Sequence, residues 1–177
     1  MTASQSDRKP EVAPAERSLN LGAVQLVDVV PGVVHDLDEL GQRVHIVMER
    51  APTVIADSDK LAEVTASLLR SALESAPDGG PIEVEVAARC LAQSHETAAY
   101  GSEPQECQAF VSVAIRDYGP HAEDTTRSST LSRKAEADLE RALINAQNIV
   151  RLHKGSLWVT NEHGRTLGFC LTSEQAA

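Results

Sequence analysis

The chain has 177 residues, of which 42% are hydrophobic and only 3% aromatic, and its formal net charge is -10 at pH 7. Such an acidic chain lacks the basic face needed to bind nucleic-acid phosphates, and it is equally unsuited to an anionic membrane surface. No apolar run approaches the roughly 20 residues of a membrane span. The N-terminus has no apolar segment typical of a secretory signal, so we expect a cytoplasmic protein.

Cysteine and histidine spacing excludes the common zinc sites. Cys90, Cys107 and Cys170 form no CxxC pair, and the six histidines have no metal-ligand spacing. Cys90 and Cys107 flank a long polar stretch, and the sequence leaves open whether they pair. An acidic cytoplasmic chain makes a lasting disulfide unfavourable.

The two ends of the chain differ from its middle. Residues 1–18 are polar, contain two prolines and show no apolar periodicity, which predicts a disordered N-terminal tail. We expect one domain over residues 19–173 and a short C-terminal tail at 174–177.

The first half of this domain predicts a helix followed by two extended segments. Apolar residues over 24–40 recur at helical spacing, with Pro31 expected to break or kink the helix and Gly41 to end it. Residues 44–48 alternate as a strand, and residues 54–55 form a short extended piece.

The clearest helix covers residues 59–76, with Asp57 as its N-cap. Two strands follow, at 82–86 and 110–115, and the polar insert 89–109 lies between them. We expect much of this insert to be mobile, because loops of this length are usually functional or disordered.

The last third begins with a second polar segment, residues 119–133, also expected to be largely mobile. A helix over 135–153, capped by Gly155, and two strands at 157–160 and 167–171 complete the chain. This order predicts an α+β fold, a two-layer α/β sandwich with a mixed, mostly antiparallel sheet and its helices on one face.

The stretch ADSDKLAEVTASLLRSALESAPDGGPIEVEV, residues 56–86, resembles the ATP-binding domain of sensor histidine kinases, a Bergerat-fold family. In that family one face of this helix presents Asn side chains to the phosphates and Mg²⁺. Residues four apart lie on the same side of a helix, and here those places hold Ser67 and Ser71. Ser71 is the ligand that the resemblance implies for any Mg²⁺. Glu74 stands where the family often has a basic residue or His.

The stretch AIRDYGPH, residues 114–121, resembles the family's Asp-x-Gly-x-Gly box. There the Asp accepts a hydrogen bond from the adenine amino group, and the glycines let the backbone approach the ring. Asp117 and Gly119 match this pattern, whereas His121 replaces the second glycine.

Residues 137–159 resemble the family's last motif, a Gly-Leu-Gly-Leu segment, a helix, a His-Gly-Gly turn and a strand. The turn and strand match, but Glu140 and Ala142 stand where glycines are expected, and only Leu143 fits. In the family these glycines free helix N-terminal amides for phosphate. The resemblance implies that Glu140 would crowd this approach and add negative charge.

The scaffold parts of the resemblance are present and its nucleotide motifs are eroded. His35 is not expected to be a phosphoacceptor, because too few residues separate it from Asp57 to hold the family's dimerisation hairpin. We therefore expect a regulator of bacterial two-component signalling with no catalytic residues. Its partner would be a kinase, a phosphotransfer protein or a response regulator, and ATP or ADP with Mg²⁺ is the cofactor the resemblance implies.

Two alternatives remain open at this point. The chain could be an active ATP-binding subunit of a split histidine kinase, phosphorylating a His on a partner chain. It could also be an ATP-binding domain cut from a longer kinase that regulates by exchanging dimer partners.

Overall fold

A computed structural model describes six stretches of the chain, residues 19–38, 43–76, 80–91, 108–118, 129–161 and 164–173. Their elements in chain order are β1 (Gly22–Val24), α1 (Leu26–Leu37), β2 (Val44–Met48), β3 (Val54–Ala56), α2 (Ser58–Ser75), β4 (Ile82–Leu91), β5 (Gln108–Asp117), α3 (Ser129–Leu152), β6 (Ser156–Thr160) and β7 (Arg165–Thr172). The predicted tails, and the question whether Cys90 and Cys107 pair, fall outside the described side chains. The expected mobility of most of residues 89–109 and of residues 119–128 also falls outside the described residues.

The main sheet has five strands in the order β2-β4-β5-β7-β6. β2 runs parallel to β4, and the other neighbouring strands are antiparallel. β1 and β3 form a separate antiparallel pair. The prediction of a mixed, mostly antiparallel sheet is therefore confirmed.

The three helices pack against one face of this sheet. Along β4, Ile82, Val84 and Val86 are fully buried, whereas Glu83 and Glu85 alternate with them on the other face. One apolar cluster joins the helices to the buried face, and Phe169 is the largest side chain within it. With so few aromatic residues, the core is made mainly of aliphatic side chains.

The predicted inner faces of α2 and α3 lie in this core. Leu61, Val64, Leu68, Ile149 and Val150 are buried. The exception is Leu143, which was also expected in the core but is only partly buried and packs against its edge. The expectation that the two long helices share one face of the sheet is confirmed.

The elements differ from the sequence prediction in several places: β4, β5 and β7 are longer than predicted, and α1 ends at Leu37. Val24, expected in the first helix, belongs to β1, where it pairs with Val54 and is buried. α1 runs through Pro31 without a break. Proline removes one intrahelical hydrogen bond, but buried valines on both sides anchor the helix to the core. α3 begins at Ser129 rather than near Ala135.

A hydrogen-bonded junction ties the start of α2 to the end of α3. Asp57 is the N-cap of α2, as predicted, and its carboxylate accepts from the backbone N–H of Lys60 at 3.1 Å and of Asn20 at 2.9 Å. The N–H of Asp57 donates to Nε2 of His153 at 3.0 Å. Nδ1 of His153 lies 2.8 Å from the carbonyl of Ile149, so this nitrogen carries the proton. His153 is therefore a structural residue that connects the two helices.

The end of α3 uses a lysine where a glycine is usual. Lys154 has a φ of 57°, and its N–H donates to the carbonyl of Arg151, while the N–H of Gly155 donates to Val150. This is the Schellman arrangement. Gly155 is needed for a different reason, because a Cβ there would lie 2.4 Å from the carbonyl oxygen of Cys170. The predicted cap at Gly155 is thus displaced by one residue.

A search of the described helices finds none with the length and apolarity required to cross a membrane.

The Asp57 junction predicts a specific acid sensitivity. Backbone hydrogen bonds, first from Asn20 and then from Lys60, hold the pKa of the Asp57 carboxyl below its usual value. A lowered pKa stabilises the fold above the unfolded value of about 3.9, and this contribution disappears as the pH falls through the folded pKa. Asp57→Asn keeps the cap but removes the charge. We expect urea unfolding to show a stability gap between the two proteins at pH 7 that closes below about pH 4. Parallel loss of stability in both would contradict this.

The Lys154 conformation predicts that Lys154→Gly stabilises the protein. A left-handed backbone is strained for a residue with a Cβ, so glycine should raise the free energy of unfolding by about 0.5–1 kcal/mol. Denaturant unfolding measures this. The matched change one residue later, Gly155→Ala, should destabilise, because its Cβ meets backbone atoms. Stabilisation by both, or by neither, would refute this account.

Candidate functional site

A groove of about 530 Å³ lies between α2 and α3. Each helix contributes four side chains at the spacing i, i+3, i+4, i+7, which places them on one face. They are Ser67, Arg70, Ser71 and Glu74 from α2, and Asp138, Arg141, Ala142 and Asn145 from α3.

Four of the residues proposed from the sequence meet in this groove, namely Ser67, Ser71, Glu74 and Ala142. Ser71 is buried, Ser67 and Ala142 are partly buried, and Glu74 is exposed. Core residues of α2 such as Leu61, Leu68 and Leu69 point towards the sheet. The groove residues occupy the positions between them along the helix, so Ser71 lies at the border between core and groove.

Two residues from the third motif lie elsewhere. Leu143 and Glu140 line a separate apolar groove of about 340 Å³, together with Leu139, Ile144 and Leu157. Glu140 is expected from the sequence to lie beside the phosphates, but it does not line the groove that holds Ser67 and Ser71. Gly119 and His121 lie outside the described residues.

Sequence reasoning missed the cations of the groove. Arg70 and Arg141 line it beside Glu74 and Asp138, so these four side chains carry no net charge. Arg141 makes an exposed ion pair with Asp138 at 3.4 Å. The repeated i, i+3, i+4, i+7 pattern was a signal in the sequence that could have identified both arginines.

Asp117, the proposed base-reading residue, is deeply buried at the end of β5. Only 1% of its side chain is exposed. It lies directly opposite Arg165 in the register of β5 and β7, and Nη2 of Arg165 is 3.7 Å from Oδ2 of Asp117. The same Nη2 donates to the carbonyl oxygen of Ser71 at 3.4 Å. This pair therefore connects the strand end to the groove-lining helix α2.

The environment of Arg165 is unusual for an arginine, because only 12% of its side chain is exposed. Burial lowers the pKa of the Arg165 guanidinium, and the charge of Asp117 acts in the opposite direction. Gly164 allows the two strands to meet here. It has a φ of 110°, and a Cβ at this position would lie 2.4 Å from the backbone oxygen of Asp117.

Comparisons with known proteins match this architecture. No protein-family model matches the chain. The adaptive-response sensory kinase SasA of Synechococcus sp. (strain JA-2-3B'a(2-13)) is 27% identical over 128 residues, which cover 68% of this chain and 29% of SasA. The chain thus spans less than a third of that relative.

Two solved structures show the same fold at low identity. The cytoplasmic segment of histidine kinase QseC has a TM-score of 0.60 and 14% identity, and the match covers 90% of this chain and 83% of that one. The ATP-binding domain of PrrB from Mycobacterium Tuberculosis has a TM-score of 0.56 and 15% identity, covering 88% and 99%. The chain has the fold of a histidine kinase ATP-binding domain.

Within this histidine kinase fold, the segment that the resemblance places beside the phosphates is not the start of a helix. Residues 140–143 lie in the interior of α3, which begins at Ser129. Backbone amides in a helix interior donate to carbonyls four residues earlier, so they are not free to bind an anion. Residues 140–143 therefore do not form the anion-binding helix terminus that the resemblance implies.

The residues of the groove do not by themselves form a magnesium site. In the part of the chain that the structure describes, no three His, Cys, Asp or Glu side chains gather closely enough to hold a metal ion. Mg²⁺ is usually held by one or two carboxylates together with substrate phosphates. Ser71 could supply at most one hydroxyl ligand to a cation brought by a nucleotide.

The opposite face of the sheet, on which none of the described helices packs, has its own depression of about 420 Å³. Trp158 lies over Gly168, whose Cβ would come within 2.4 Å of the indole. At the rim, Arg116 bonds to Glu83 at 2.6 Å and to Glu85 at 2.8 Å. The charged side chains there are thus paired with one another.

The buried pair predicts a large stability effect that an exposed pair does not show. Removing either Asp117 or Arg165 leaves the other charge buried, which costs about 3 kcal/mol, whereas Asp117→Leu with Arg165→Met should recover most of this loss. Denaturant unfolding of the four proteins in this cycle gives the coupling energy. Asp138 and Arg141 form the control pair, and their removal should cost less than about 1 kcal/mol. Equal coupling energies for both pairs would disprove the buried ion pair.

Proposed function

We propose that this chain is a regulatory module of the histidine kinase type that binds nucleotide weakly and transfers no phosphate itself. The observation that carries this proposal is the uninterrupted course of α3 through residues 140–143. A triphosphate bound beside α2 would find backbone amides that are already hydrogen-bonded within the helix. The main source of phosphate binding that the resemblance implies is therefore missing.

The side chains of the groove replace this contribution only in part. Ser67 and Ser71 carry hydroxyls in place of the carboxamides that the resemblance assigns to Mg²⁺. Glu74 repels phosphate, whereas Arg70 and Arg141 attract it. Since the groove carries no net charge, electrostatic repulsion weakens binding less than the sequence alone suggested. Weak ATP or ADP binding is accordingly part of the proposal, without turnover.

We place the module in two-component signalling, in the cytoplasm. SasA, which matches in sequence, and QseC, which matches in fold, are both named as kinases. A kinase, a phosphotransfer protein or a response regulator is the partner class that fits this placement. The proposed action is binding to that partner, because fold alone does not provide catalysis.

One observation favours the alternative of an active subunit in a split kinase. Arg70 and Arg141 face the groove that holds Ser71, and they could bind a γ-phosphate without a glycine-rich helix start. Such a subunit would phosphorylate a His on a partner chain. Nucleotide affinity separates the two functions, since a working kinase subunit must hold Mg-ATP.

Calorimetric titration with Mg-ATP is the deciding experiment. We expect a Kd weaker than about 100 μM and little difference between Mg-ATP and Mg-ADP. A Kd in the low micromolar range or below would overturn the proposal and support the split-kinase alternative.

The groove charge predicts the effect of a matched pair of variants. Glu74→Gln removes a carboxylate from the groove, so it should strengthen Mg-ATP binding by up to about tenfold and leave adenosine binding unchanged. Asp59→Asn changes an exposed carboxylate in the first turn of α2, outside the groove, and should have little effect. Equal gains from both would show that only the overall charge of the chain matters.

A further inference from the structure

We propose that the Arg165 side chain occupies the base-recognition site, where its guanidinium pairs with the Asp117 carboxylate and excludes purines. The inference rests on the proposed nucleotide binding and on the resemblance, which assigns base recognition to Asp117. It adds a residue that the three sequence motifs do not contain. It also states how this site is regulated, by a contact within the chain.

The geometry shows that the two side chains share one closed space. Asp117 and Arg165 are cross-strand partners in β5 and β7, so both point to the same face of the sheet. That face is covered by α2, whose Ser71 carbonyl accepts from the same guanidinium at 3.4 Å. Asp117 is 1% exposed and Arg165 is 12% exposed, so the carboxylate is closed to solvent while the guanidinium stands beside it.

A purine amino group would need the position that Arg165 holds. An N–H···O hydrogen bond requires the donor nitrogen within about 3.2 Å of the carboxylate oxygen. Nη2 of Arg165 already stands 3.7 Å from Oδ2, which leaves no room for a ring and its amino group between them. The guanidinium, like an adenine amino group, presents planar N–H donors to the carboxylate.

The competition between the two donors favours the arginine. The contact at 3.7 Å is an ion pair rather than a hydrogen bond. In a buried site the attraction between two opposite charges exceeds that between a carboxylate and a neutral amino group, so a neutral amino group does not displace the guanidinium. A departing Arg165 would also leave the Asp117 charge buried without its cation. Removing the Arg165 side chain should therefore open space beneath Ser71 and make the Asp117 carboxylate available to a ligand.

The ligand class follows from the chemistry of the freed carboxylate. An ionised carboxylate only accepts hydrogen bonds. It therefore favours a purine whose six-position carries an amino group, as in adenosine, over one with a carbonyl there. Because the carboxylate lies at the strand end and the groove lies above Ser71, the ribose would face the groove.

Arg165→Gln tests the proposal in the full chain by calorimetry with adenosine, guanosine, Mg-ADP and Mg-ATP. Glutamine keeps a donor for the Ser71 carbonyl but removes the positive charge. We expect adenosine affinity at least about tenfold above that of the wild type, with no gain for guanosine. Arg151→Gln, which removes an exposed arginine in the last turn of α3, outside the groove, is the matched control and should leave adenosine binding at the wild-type level.

A second variant removes the acceptor as well. Asp117→Leu with Arg165→Met replaces the ion pair by apolar side chains, a change that buried pairs tolerate well. It should bind adenosine no better than the wild type. If Arg165→Gln does not fold, Arg165→Lys replaces it, because the lysine lacks the planar fork that reaches both Asp117 and Ser71. A gain of at least threefold is then expected.

The outcomes separate this inference from the proposed function. No gain in adenosine affinity for a folded Arg165 variant overturns the inference, and weak Mg-ATP binding in the same titrations leaves the proposed function standing. Low-micromolar Mg-ATP binding by the wild type overturns the proposed function. If Arg165→Gln binds adenosine more tightly than the wild type does, and binds Mg-ATP no more tightly than adenosine, both the inference and the proposed function are supported.

Discussion

The hydrogen bond between the N–H of Asp57 and Nε2 of His153 fixes where the two long helices begin and end relative to each other. It joins residues 96 positions apart in sequence, and both are buried. Because α2 starts at this junction and α3 ends there, the spacing of the groove between them depends on it. The carboxylate of Asp57 also holds the backbone of Asn20, which anchors the segment leading into β1. The hydrogen bond between Asp57 and His153 thus helps to position the two helices that line the groove.

Helical periodicity then determines which side chains of α2 and α3 face the groove. Core residues of α2 and α3 face the sheet, and the residues between them face each other across the groove. The fold is therefore maintained by side chains other than those that would bind a ligand. Serines, charged residues and Ala142 can occupy the groove with little effect on the core, so loss of nucleotide motifs and retention of the histidine kinase fold are compatible.

Periodicity also explains which features could be predicted from the sequence. The alternation at Ile82, Val84 and Val86 and the apolar face of α2 gave the sheet and its main helix, because burial imposes these patterns directly. The N-cap at Asp57 was readable from its residue type and position. The strand at β1 was missed, because three residues paired with β3 are too short to show a period, and the start of α3 was missed because polar residues there gave no apolar signal.

The candidate site was less predictable, since it depends on contacts between distant residues. Motif alignment identified Asp117 but gave no indication that Arg165 lies opposite, because register between β5 and β7 is a property of the folded sheet. Alignment also placed Glu140 beside the phosphates, although the helix rotates it into the apolar groove with Leu143. A residue one position along a helix turns by about 100°, so a motif that matches in sequence can still face the wrong way.

The buried pair at Asp117 connects the site to the stability of the fold, unlike the exposed groove residues. A lone carboxylate at this depth would be unfavourable, so a chain that does not hold a ligand there needs an internal cation. Arg165 meets this need from the neighbouring strand, and Gly164 allows the close approach of the two backbones. In a chain whose site remained open, the same carboxylate would depend on solvent or ligand for its hydrogen bonds. The ion pair therefore stabilises the fold at this position without a ligand, and in the proposal above the same contact keeps a base from entering.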